Sequence, residues 1–199
     1  MEKIMKVGGW LLSPSRMVFD VLKNRVRDRG DFHRSWSRFF IFAELALAAI
    51  LVFLTVCWPR ILTSLVFSSA LLLLAWSRIN ELVYAFYQDA FSRLKNEEQA
   101  SDLKFYERLQ MALKSYIGLV IYFAILYYFN WFEASFKPEF SNFFESIYFS
   151  VITITTLGYG DFHPTHWLMK LFSMYQVLTG LLMVVIVIGA YVGAERENA

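Results

Sequence analysis

The stretch TTLGYGD, residues 155–161, places two threonines, two glycines and an aspartate between the apolar segment NFFESIYFSVITI (142–154) and the apolar run from Trp167 to Val192. Its meaning depends on those flanks. At 13 residues the upstream segment is too short to cross a hydrocarbon core, which takes about 20 residues of helix, and too apolar to float in water. Asn142 followed three residues later by Glu145 is a capping-box signature for a helix start. A re-entrant helix is therefore predicted, leading straight into TTLGYGD at membrane depth. Irregular backbone at that depth is tolerated only where it is buried in protein or lines a watery path, because an unpaired peptide group in lipid costs several kcal/mol. Gly158 and Gly160 admit dihedrals closed to other residues, so consecutive carbonyls could all turn to one side. A ladder of inward-facing oxygens is an ion path.

The rest of the chain fits a membrane setting. Of 199 residues, 57% are hydrophobic and 18% charged, against roughly 25% charged in an average soluble domain; mean hydropathy is +0.44. A formal net charge of +2 gives no global pull toward nucleic acid. Cys57 is the only cysteine, which excludes an intrachain disulfide and a cysteine-rich metal site. The opening MEKIMKVGGWLLSPSR is too short and broken in its apolar part for a signal-peptide core, so the whole chain is taken as mature.

Five segments are expected. Residues 1–38 form a basic cytoplasmic arm, either a short amphipathic helix on a headgroup surface or a solvated tail. Residues 39–79 form a transmembrane hairpin: a first span at 39–57, the turn WPRILT, and a second span from about Leu62 to Trp76 with Arg78, Asn80 and Glu81 marking its exit. Residues 80–114 read as an amphipathic cytoplasmic linker broken by KNEEQASD. Residues 115–193 contain a third span from about Tyr116 to Phe132, the re-entrant segment, and a fourth span at about 167–192; a short tail, 194–199, follows. Lys and Arg concentrate in the arm and in 78–114, which places both termini in the cytoplasm and TTLGYGD on the extracellular side.

Residues 115–193 resemble the pore module of potassium channels: outer helix, pore helix, filter, inner helix. The block FESIYFSVITITTLGYGDFHP resembles that family's signature almost position for position, with Leu157 where valine is commonest. The resemblance implies an all-α membrane protein of four transmembrane helices plus a re-entrant pore helix and filter. One filter per chain supplies a quarter of each oxygen ring, so a fourfold homotetramer is implied. The filter would be Thr156, Leu157, Gly158, Tyr159 and Gly160. Carbonyls of Thr156, Leu157, Gly158 and Tyr159, with the Thr156 hydroxyl, would replace the hydration shell of K+. Thr155, Asp161, Tyr148 and Phe149 would support it. Asp161 is implied to tie the filter to the pore helix rather than serve as an ordinary turn residue; for Tyr148 and Phe149, bracing the filter tyrosine and generic packing both remain open. Ile152 stands where some bacterial relatives place an acid. Gly180 is either a gating hinge or one more glycine of a membrane helix, and Gly189 with Gly193 forms a GxxxG pair.

Outside the resemblance, Glu44 lies inside the first span, where a carboxylate demands a partner or a task. An antiparallel hairpin brings it toward Arg78, so a buried Glu44–Arg78 pair is expected, with a sensing role as the alternative. His163 and His166 are exposed loop residues or a sensor of protons or metal. Regularly spaced membrane arginines, which voltage sensing needs, are absent from the sequence, and the chain ends soon after the inner helix, leaving no room for a ligand-binding domain there. No phosphate loop, nucleophile–base pair or metal constellation suggests an enzyme or a cofactor. The expected function is a potassium-selective channel subunit, with a weakly selective cation pore or a non-conducting regulatory subunit as alternatives. Its partners are copies of itself and membrane lipid, anionic lipid at the basic arm included. The plasma membrane is the expected location.

Overall fold

A computed structural model of the chain describes residues 29–57, 65–94 and 105–197. Most of the basic arm, the proline turn, the KNEEQASD break and the last two residues lie outside the described residues. The elements run α1 (Arg29–Cys57), α2 (Leu65–Leu94), α3 (Phe105–Tyr128), β1 (Phe136–Lys137), α4 (Phe143–Ile154), β2 (His163–Pro164) and α5 (Trp167–Glu197). Among the described residues three helices are long and apolar enough to cross a membrane: Leu65–Ala85, Gln110–Tyr128 and Trp167–Val185. The expected first span appears as the shorter apolar stretch Phe42–Cys57 of α1.

At the centre is α3. Leu119 and every residue from Ile121 to Tyr127 are buried, a pattern that no single apolar stripe explains. Burial on every side needs neighbours on every side, and α1, α2, α4 and α5 all pack against it. The outer helices bury only one face. In α1 that stripe is Glu44, Ala48, Leu51 and Thr55, spaced one turn apart, while Phe42, Leu45, Ile50, Phe53 and Val56 stay exposed. In α2 the buried stripe includes Leu71, Ala75 and Ile79, with Leu65, Val66, Leu73 and Leu74 exposed. So much bare aliphatic and aromatic surface suits a lipid solvent rather than water.

Local chemistry sets the helix ends. Asn142 is the N-cap of α4, its side chain accepting from the Glu145 amide at 3.2 Å. The Glu145 carboxylate accepts from the Ser141 amide at 2.6 Å, one residue earlier than in the usual reciprocal box. A further cap comes from α1: the Phe143 amide donates to Thr55 Oγ1 at 3.2 Å. At the end of α3, Asn130 Nδ2 donates to the Tyr127 carbonyl at 2.6 Å, and its Oδ1 accepts from the Phe132 amide at 3.0 Å and the Ser135 hydroxyl at 2.6 Å. This folded-back amide stops the helix at Tyr128, short of the expected Phe132. Two short strands bracket α4 and the 155–161 segment, pairing antiparallel as Phe136 with Pro164 and Lys137 with His163. Past Arg78, α2 runs unbroken to Leu94.

Candidate functional site

The 155–161 segment hangs from the C-terminal end of α4. Thr155 is the C-cap, its amide donating to Val151 O at 3.1 Å and its hydroxyl to the same carbonyl at 2.7 Å. The Thr156 amide donates to Thr153 O at 3.0 Å, and Ile152 O receives two amides, Leu157 at 2.9 Å and Gly158 at 3.0 Å. Beyond that tether the backbone takes the left-handed region at every second residue: Thr156 (φ 59°), Gly158 (φ 54°) and Gly160 (φ 80°). Positive φ at alternate positions departs from an ordinary extended strand, in which successive carbonyls alternate sides. For glycine this is inexpensive, whereas a residue bearing a Cβ meets a cost of roughly 1–2 kcal/mol. Thr156 therefore carries local strain, of the kind found where surrounding structure over-determines the backbone.

The side chains of this segment find little of their own protomer to pack on: Leu157 is 57% exposed and Tyr159 67%. The same holds along α5 at Leu171, Met174, Leu178, Leu181 and Val185. At Gly158 and Gly160, a Cβ would meet no atom within 4 Å.

Of the expected support residues, Tyr148 and Asp161 come together. The Asp161 carboxylate is the main group acting on the Tyr148 phenol. Phe149 faces the other way. It is buried against Tyr127 at 5.0 Å, Phe136 at 5.1 Å and Phe140 at 5.9 Å between ring centroids, inside the protomer's aromatic core. His163 sits in β2, while His166 stacks on Phe132 at 4.0 Å and accepts from the Leu168 amide through Nδ1 at 3.3 Å, capping α5. Among the described residues no group of three or more His, Cys, Asp or Glu gathers as a metal site.

Gly180 lies in unbroken α5 against the end of α4, where a Cβ would fall 2.7 Å from Ile154 Cγ1 and 3.0 Å from Ile154 O. Close approach is thus a sufficient reason for glycine here. Gly180→Ala should cost about 1–3 kcal/mol through overpacking, read as a lowered melting temperature in detergent, and Ile154→Ala in the same chain should recover part of it. A hinge role would instead change opening without regard to residue 154.

Glu44 and Arg78 meet as expected, Arg78 Nη2 standing 3.3 Å from Glu44 Oε1 with both side chains buried. The surroundings were not foreseen. Arg78 Nη1 also pairs with Glu81 at 2.7 Å, and the Tyr122 hydroxyl of α3 donates to Glu44 Oε1 at 3.1 Å while accepting from Arg78 Nε at 3.4 Å. Gly118 makes the room, since a Cβ there would lie 2.6 Å from Glu44 Oε2. Arg78 and Glu81 are thus paired inside the helix packing, and that pairing is what makes the burial of their charges tolerable. A second polar cluster, also unforeseen, joins Tyr127, Gln176 and Ser150. A lone glutamine in an apolar run signals itself only as a polar group inside a membrane helix.

Residues 115–195 match the family described as "Ion channel". A stretch of 46 residues is 44% identical to a hyperpolarization-activated voltage-gated potassium channel of Methanocaldococcus jannaschii. That match covers 23% of this chain and 22% of the relative, so about a fifth of that protein is represented. No solved structure matches the chain.

Proposed function

From the match of residues 115–195 to the ion-channel family, we propose that the chain is one subunit of a fourfold homotetrameric potassium channel that conducts passively through residues 156–160. In this assignment α3 is the outer helix, α4 the pore helix and α5 the inner helix. Phe42–Cys57 of α1 makes the fourth crossing, and α1 with α2 forms an accessory layer around the pore. The termini are cytoplasmic, the filter mouth faces outward, and the plasma membrane is the location.

The observation that carries this function is the left-handed backbone at Thr156, Gly158 and Gly160, anchored to α4 through Ile152 O. It supports a row of carbonyls on one side of the strand, and four such strands around an axis would replace the hydration shell of a monovalent cation. The exposed Leu157 and Tyr159 side chains would then pack against neighbouring subunits. The α4 C-terminus, with its partial negative charge, would favour a cation in the space beneath. Asp161 and Tyr148 hold the outer end of the filter.

Purified protein in liposomes loaded with a potassium gradient tests this. Potassium flux well above sodium flux is expected. Equal permeability to the two ions would replace the selective channel by a weakly selective cation pore, and no flux would point to a non-conducting subunit.

A further inference from the structure

Gln176 is fully buried in the N-terminal third of α5, where an amide without partners would be costly. Its bonds form a closed loop through three helices. The Tyr127 hydroxyl of α3 donates to Gln176 Oε1 at 2.7 Å; Gln176 Nε2 donates to the Ser150 carbonyl at 3.0 Å and to Ser150 Oγ at 2.7 Å; and Ser150 Oγ donates to Val120 O, back on α3, at 2.8 Å. The Ser150 carbonyl can only accept, so it fixes which end of the amide faces α4, and Tyr127 then serves as donor to the other end. Tyr127 and Val120 are seven residues apart, two helical turns, and so lie on one face of α3.

Ser150 precedes Ile152 by two residues, and Ile152 O receives the Leu157 and Gly158 amides. The Ile152 side chain offers no hydrogen bond of its own to hold α4 in place. We propose that Gln176 is a positioning residue for the filter: by gripping Ser150 through both hydroxyl and carbonyl it fixes the depth and rotation of α4, and thereby the height of the carbonyls hung from it. This rests on the potassium-channel function proposed above. It assigns to the inner helix a part in selectivity, without contact with the ion.

The test compares K+ over Na+ permeability and melting temperature in full-length tetramers reconstituted in liposomes. Gln176→Met removes both donors to Ser150 and should lower the permeability ratio about tenfold, the scale of one to two lost hydrogen bonds. It also leaves the Tyr127 hydroxyl without that acceptor, so the melting temperature should drop. The double variant Tyr127→Phe with Gln176→Met removes the stranded hydroxyl and should regain stability while the ratio stays low. Tyr127→Phe alone keeps both donors to Ser150 and should stay within about twofold of the original ratio. Should neither Gln176 variant assemble, Ser150→Ala, which deletes a single oxygen, should lower the ratio about threefold. A selective original protein whose double variant, or Ser150→Ala, keeps the same ratio overturns the positioning role alone. An original protein that passes no potassium overturns the channel function and this role with it.

Discussion

Aspartate at Gly158 or at Gly160 should abolish potassium flux through a tetramer that still assembles. Both glycines have positive φ, and a side chain there adds roughly 1–2 kcal/mol of backbone strain. That amount alone does not unfold a protomer. Nor would a clash, since a Cβ at either position meets no protomer atom within 4 Å. The defect should arise only where four copies converge, because four carboxylates would crowd the axis and displace the carbonyl rings. Flux into liposomes, read beside native electrophoresis of the same preparation, separates conduction from assembly. Potassium flux surviving in both variants would remove residues 156–160 from the conduction path.

Arg78→Met should be the most damaging substitution to stability. It leaves Glu44 buried with Tyr122 as its remaining donor in the cluster and removes the Arg78–Glu81 ion pair. Breaking a buried ion pair from one side costs about 3–5 kcal/mol, so a large fall in the melting temperature of detergent-solubilised protein is expected. The double variant Glu44→Met with Arg78→Met should recover at least half of the loss, since an apolar pair of similar volume can replace a buried salt bridge at little cost. A single variant costing less than about 1 kcal/mol would place the pair in the range of exposed ion pairs, and a task in sensing would then have to explain the burial.

Legibility differed along the chain for physical reasons. The 142–154 helix could be read from its cap and its length, because capping chemistry is local; Asn142 and Glu145 act within one turn of each other. The likeness of residues 115–195 to an ion-channel family could be read from a short segment whose glycines have positive φ. Charge alone does not reveal the surroundings of Arg78, which finds Glu44, Glu81 and Tyr122 inside the bundle. The end of α3 shifted for a comparable reason: aromatic content suggested continuation, and the Asn130 side chain closed the helix first. Strands of two residues show no periodicity, so the ribbon of 136–137 and 163–164 had no signal at all. Gln176 and Gly118 acquire meaning only from residues distant in sequence, and Phe149 turned inward because its helix face is decided by α3.

Wrapping of α3 by its own chain makes the hairpin something hydrocarbon cannot replace. Fatty tails could cover Ile121 or Leu126, but they have no oxygen for the phenol of Tyr122 and none for the first amide of α4, which now rests on Thr55. Lipid packed against α3 and α4 in place of α1 would leave those groups unsatisfied.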